Sequence, residues 1–117
     1  MRRLLVTLAA FTALAAVAAP AFAATRTVVL SAPASGLRYS QTLVHAHAGT
    51  ITIVFVNHSM LKHNVNVEQG EHEFGKSATI NHGTTSFTVT LKAGKYNYYC
   101  SVPGHEDAGM HGTLIVA

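Results

Sequence analysis

Apolar and polar residues alternate at every second position in short stretches separated by glycine turns, and this pattern constrains the fold more than any other feature. Thr50–Val56 sets Ile51, Ile53 and Phe55 on one face, and Thr84–Leu91 does the same with Phe87, Val89 and Leu91. His63–Val67 alternates Val65 and Val67 with Asn64 and Asn66. Thr27–Leu30, the aromatic Lys95–Cys100 and Gly112–Val116 add further runs, with a weaker one within Leu37–Val44. Ala48-Gly49, Gln69-Gly70, His82-Gly83, Ala93-Gly94 and Pro103-Gly104 supply the turns. Side chains two apart share a face of a strand, so the pattern predicts half-buried antiparallel strands. No stretch beyond residue 24 keeps a helical period. Residues 68–83 are weakly patterned and are expected to form a short helix or an irregular loop. About six to eight short strands in one core predict an all-β, Greek-key β-sandwich.

The first 23 residues follow a different rule. Met1-Arg2-Arg3 leads into an Ala/Leu/Val run from Leu4 to Ala19, which ends at Pro20-Ala21-Phe22-Ala23. A basic start, an apolar middle and an Ala-x-Ala exit are the parts of a cleavable signal peptide. The uninterrupted apolar run is short for a membrane span. The expected organisation is a signal peptide over 1–23 and one domain over 24–117, released by cleavage after Ala23. The Arg2-Arg3 pair leaves both the general secretory and the twin-arginine route open. Removing that pair lowers the formal net charge from +3 to +1. Nucleic-acid binding thereby loses its compositional support.

The single cysteine excludes an internal disulfide and a CxxC-type zinc or iron–sulfur site. It stands in Tyr98-Tyr99-Cys100-Ser101-Val102-Pro103-Gly104-His105-Glu106-Asp107-Ala108-Gly109-Met110, where Cys, His and Met recur with four residues between them. A thiolate, an imidazole and a thioether suit copper. A loop joining two paired strands can turn all three toward one point. A fourth ligand must then come from elsewhere, and His63, at the junction of the loop Asn57–Lys62 with the following strand, is the candidate. Taken singly, Cys100 and Met110 would pass for ordinary core residues; together with His63 and His105 they read as a metal centre.

Two stretches, Ile53-Val54-Phe55-Val56-Asn57-His58-Ser59-Met60-Leu61-Lys62-His63-Asn64-Val65 and Tyr96 through Gly112, resemble the cupredoxins, the small blue copper proteins that include plastocyanin and azurin. The resemblance implies one type 1 copper ion, with His63, Cys100 and His105 as equatorial ligands and Met110 as the long axial one. It implies that Asn64 braces the ligand loop toward Ser101. The Cys-x4-His spacing is longer than in plant plastocyanins and nearer to azurin-like loops. The activity implied is outer-sphere electron transfer rather than catalysis, through a partly exposed edge of His105. The expected protein is a soluble monomer in the periplasm that meets redox partner proteins transiently, with no stable membrane insertion and no nucleic-acid partner.

Six histidines are not absorbed by this site. His45 and His47 would share a strand face, where a solvated polar surface is expected although the pair could chelate a metal ion. His58 and His111 lie close in sequence to the expected ligands, and His72 and His82 are expected at the surface. Met60 suits either an apolar surface beside the site or the core. Glu106 and Asp107 place negative charge in the ligand loop. The surplus of His and Met also supports an alternative function, a copper carrier or scavenger. A metal-free interaction module is a third possibility, which visible spectroscopy of the copper-loaded protein would exclude.

Overall fold

In a computed structural model, residues 13–16 and 26–117 are described. The expected signal peptide, apart from residues 13–16, lies outside the described residues. The described residues form eight strands, β1 (Thr27–Ala32), β2 (Leu43–Ala46), β3 (Gly49–Asn57), β4 (Asn66–Gln69), β5 (His72–Lys76), β6 (Gly83–Leu91), β7 (Gly94–Tyr99) and β8 (His111–Val116). They form a three-stranded sheet in the order β1-β3-β6 and a five-stranded sheet in the order β2-β8-β7-β4-β5. Among the described residues there is no helix.

The two sheets bury their inward-facing positions against each other. Val28 and Leu30 of β1, Ile51, Ile53 and Phe55 of β3, and Val89 and Leu91 of β6 face Val67, Tyr96, Tyr98, Leu114 and Val116 of the second sheet in one core. Each large aliphatic or aromatic side chain removed from water contributes about 1.5–3 kcal/mol before entropy is counted. The alternation read from the sequence is therefore the record of a sheet covered on one side. Tyr39 enters the core from the segment between β1 and β2, its ring 6.0 Å from Phe55 and 5.3 Å from Tyr98.

Several local expectations are corrected. Not every pairing is antiparallel: β1 runs parallel to β3, and β2 parallel to β8. The chain leaves β1, forms β2 in the other sheet, and returns as β3 in the same direction as β1. Period-two patterning reports which face is buried and carries no information on the neighbour's direction. Within Leu37–Val44 a strand forms only from Leu43. The expected strand His63–Val67 enters the ladder only at Asn66, and all five of its residues are buried, Asn64 and Asn66 included. Residues 68–83 hold neither a helix nor an irregular loop alone: they contain the hairpin turn and β5. A register shift between Val67 and Glu68 breaks the alternation there, which hid the strand.

Candidate metal centre

Cys100 leaves the end of β7, and Met110 immediately precedes β8. Strand pairing from Tyr99–His111 to Gly94–Val116 clamps both ends of the intervening loop. The loop closes on itself: Cys100 N–H donates to the Met110 carbonyl (3.1 Å), and Met110 N–H donates to the His105 carbonyl (3.0 Å). His105 N–H in turn donates to the Val102 carbonyl (3.0 Å). Gly104 (φ 82°) and Gly109 (φ 112°) take left-handed backbone, which side-chain-bearing residues rarely adopt. The turns bring the three loop residues toward one point.

His63 arrives from the other side of the site. Its backbone forms an isolated antiparallel bridge with Ile80, through His63 N–H to Ile80 O (2.9 Å) and Ile80 N–H to His63 O (3.0 Å). The preceding loop is held by Asn57, whose amide nitrogen donates to the carbonyls of Leu61 (2.9 Å) and Ile80 (2.7 Å) and whose oxygen accepts from Ser59 N–H (2.8 Å). Tyr39 donates its hydroxyl hydrogen to the Asn64 carbonyl (2.5 Å). Asn64 reaches the opposite loop, donating to Ser101 Oγ (2.8 Å) and accepting from Ser101 N–H (2.8 Å). The brace between Asn64 and Ser101 is therefore present, with a second anchor at Thr79 Oγ1 (2.9 Å).

The donor atoms converge. His63 Nδ1 lies 3.1 Å from His105 Nδ1, and Cys100 Sγ lies 4.0 and 3.6 Å from the two nitrogens. Metal–nitrogen bonds of about 2.0 Å and metal–sulfur bonds of about 2.3 Å, spread over a trigonal plane, call for edges of about 3.5 and about 3.7 Å. The observed triangle fits one ion of that size. His63, Cys100 and Met110 are fully buried, whereas His105 is partly exposed. Burial, and secondarily the neighbouring His105 imidazole, hold His63 below the usual histidine range, which favours the neutral ring that a metal requires. His63 Nε2 is buried with no hydrogen-bond partner among the described residues, where packing rather than a hydrogen bond from that atom orients the ring.

All four residues expected at the site thus lie around one end of the sandwich. The three nitrogen and sulfur donors meet directly, and Met110 is tied through its backbone to both Cys100 and His105. Over residues 26–117 the chain matches the family model described as copper binding proteins, plastocyanin/azurin family. The chain belongs to that family. Copper is the cofactor that the family and this donor set call for. Among solved structures, this family member is similar to reduced auracyanin from Roseiflexus castenholzii, at 23% identity and a TM-score of 0.74, over 80% of this chain and 98% of that one. Auracyanin A from Chloroflexus aurantiacus, a "blue" copper protein, shares 27% identity at a TM-score of 0.70, over 78% and 98% of the two chains. Rusticyanin from Thiobacillus ferrooxidans matches at 22% identity and a TM-score of 0.65, over 79% and 78%.

Reading the sequence missed Tyr39, Asn57 and Ile80, which position His63 from three separate segments. A β-strand-ending Asn before a short polar loop was the available signal for Asn57. Nothing local marks the other two. Of the remaining residues noted around the site, His58, Met60, Glu106, Asp107 and His111 are all exposed. Met60 therefore takes no part in the core.

Proposed function

We propose that the protein is an exported, soluble one-electron carrier of the blue copper type, in which His63, Cys100, His105 and Met110 would hold the copper. The observation that carries this reading is the buried convergence of two imidazole Nδ1 atoms and one thiol at trigonal spacing, with only His105 reaching toward the surface. Copper supplies a reversible one-electron couple there. Cys100 would provide the thiolate, and His63 and His105 the two imidazoles, that hold it. The Asn64–Ser101 brace and the strand ends keep these side chains in one arrangement through both charge states, which keeps reorganisation small. His105 is the path by which an electron enters and leaves. Exposed Met60 and Leu61, near His63 in the chain, suit a small apolar contact with a partner that docks briefly.

A buried site bounded by four protein ligands leaves no position for substrate, which favours a carrier over an enzyme. The Arg2-to-Ala23 segment supports export, to the periplasm in a Gram-negative host, and the small charge after cleavage suits a monomer without nucleic-acid partners. The copper-loaded protein should show an intense visible thiolate-to-copper band that Cys100→Ser abolishes. Absence of that band in the wild-type protein would sink the proposal. A second reading, copper carriage or scavenging, is favoured by one observation: all six remaining histidines are exposed. Fast reversible voltammetry with retained copper supports electron transfer, and ready donation of copper to an acceptor supports handling.

A further inference from the structure

Two of the exposed histidines are placed as a pair. Among the described residues, β2 is the outermost strand of the five-stranded sheet and is bonded to β8 alone. The parallel register pairs His45 with Ile115 and Ala46 with Val116. The ladder continues past the end of both strands: Ala117 N–H donates to the Ala46 carbonyl (3.1 Å), and Ala48 N–H donates to the Ala117 carbonyl (2.9 Å). These two bonds straddle His47 and hold it extended opposite Ala117. Residues two apart on a strand stand about 7 Å apart on the same face. Both rings are exposed, and with Ile115 and Ala117 they line one open groove of about 330 Å³. The small Ala117 side chain leaves room for the rings to swing toward each other.

We propose that His45 and His47 form a second metal site, taking one divalent copper ion through two imidazole nitrogens with water completing the shell. Imidazoles select borderline metals, and among first-row divalent ions the affinity peaks at copper. Hard cations such as calcium need carboxylate or carbonyl oxygens. The side chains that line this groove are those of His45, Ala46, His47, Ile115 and Ala117, with no side-chain carboxylate among them. The groove lies roughly 13–20 Å along β8 from His111, at the end of the sheet away from Cys100. The two sites share no ligand and fill independently. The second site holds copper without a thiolate, and therefore more loosely and in exchange with solution. It goes beyond the electron-carrier reading and does not depend on it.

The test is a calorimetric titration of the untagged, copper-loaded protein with cupric sulfate, followed in parallel by electron paramagnetic resonance. A second one-to-one event is expected, with an ordinary cupric spectrum and no change in the visible band. His45→Ala with His47→Ala should remove this event, whereas His58→Ala with His82→Ala should keep it. An unchanged visible band in the first pair shows that the fold is intact. No second event in the wild-type protein, or its loss with the His58/His82 pair instead, overturns the proposal. Cys100→Ser should lose the visible band and keep the His45/His47 event. A wild-type protein that lacks the band but keeps this event would refute the blue copper reading alone.

Discussion

Asn64 shows how much of a metal centre depends on a residue that donates nothing to the metal. Its side chain makes four hydrogen bonds: to Thr79 and Ser101 through its nitrogen, and from Ser101 N–H and Asn66 through its oxygen. Asn64→Ala would remove the acceptor of Ser101 N–H and of the buried Asn66 amide, and the donor to Thr79 Oγ1 and Ser101 Oγ. Thr79 and Ser101 are exposed and can turn to water, so the cost falls mainly on Asn66 and on the lost tie between the two segments. The expected outcome is a fall in stability of about 1–3 kcal/mol in urea unfolding. A shifted reduction potential should accompany it, since the loop carrying Cys100 and the chain carrying His63 are no longer tied. A variant with the wild-type urea midpoint and potential would contradict this role. The sequence already marked Cys100, His105 and Met110 because they sit in one loop, and Asn64 through the resemblance to the cupredoxins. It could not mark Tyr39, whose hydroxyl reaches the Asn64 carbonyl across the core.

At the scale of elements, the pairing of β7 with β8 is the frame on which the ligand loop is strung. Tyr98 faces Gly112 in that ladder, and its hydroxyl donates to the Gln41 carbonyl (2.6 Å). A Cβ added at Gly112 would overlap the Tyr98 ring. The ring has little freedom to yield, because Tyr39 packs against it and Gln41 holds its hydroxyl. Gly112→Ala is therefore expected to destabilise the protein by about 1–3 kcal/mol through overpacking. Thermal unfolding measures the effect, and a variant as stable as the wild type would show that the ring can move aside. Turn glycines and alternation made β3, β6, β7 and β8 legible to within a residue or two. β5 stayed hidden because a register shift and an exposed edge position remove the alternation that identifies a strand.

Across the whole molecule, the buried tyrosines make stability depend on alkaline pH. Burial pushes the Tyr98 phenol up to about 12. Burial raises Tyr39 further, with the charges of Cys100, Tyr98 and Glu106 adding to it. In the unfolded chain a phenol titrates near 10. The folded state then binds the protons more tightly, so this contribution is complete below pH 10 and is lost as pH rises toward 12 and beyond. The urea midpoint should stay level to about pH 10 and then fall. Tyr98→Phe should make that fall shallower while lowering the midpoint at neutral pH through the lost Gln41 bond. A wild-type midpoint that is flat from pH 9 to 12 would show that both phenols ionise without unfolding.

By itself, the sequence determined what local patterns can encode: strands with one covered face, the turns between them, and Cys100, His105 and Met110 in one loop. Each of these depends on residues a few positions apart. Tertiary structure alone decided the parallel pairings of β1 with β3 and β2 with β8. It alone bridged His63 to Ile80 and brought Tyr39 under Asn64. The reason is physical: these contacts join segments far apart in the chain, and only the packing of two sheets around one core selects which segments meet.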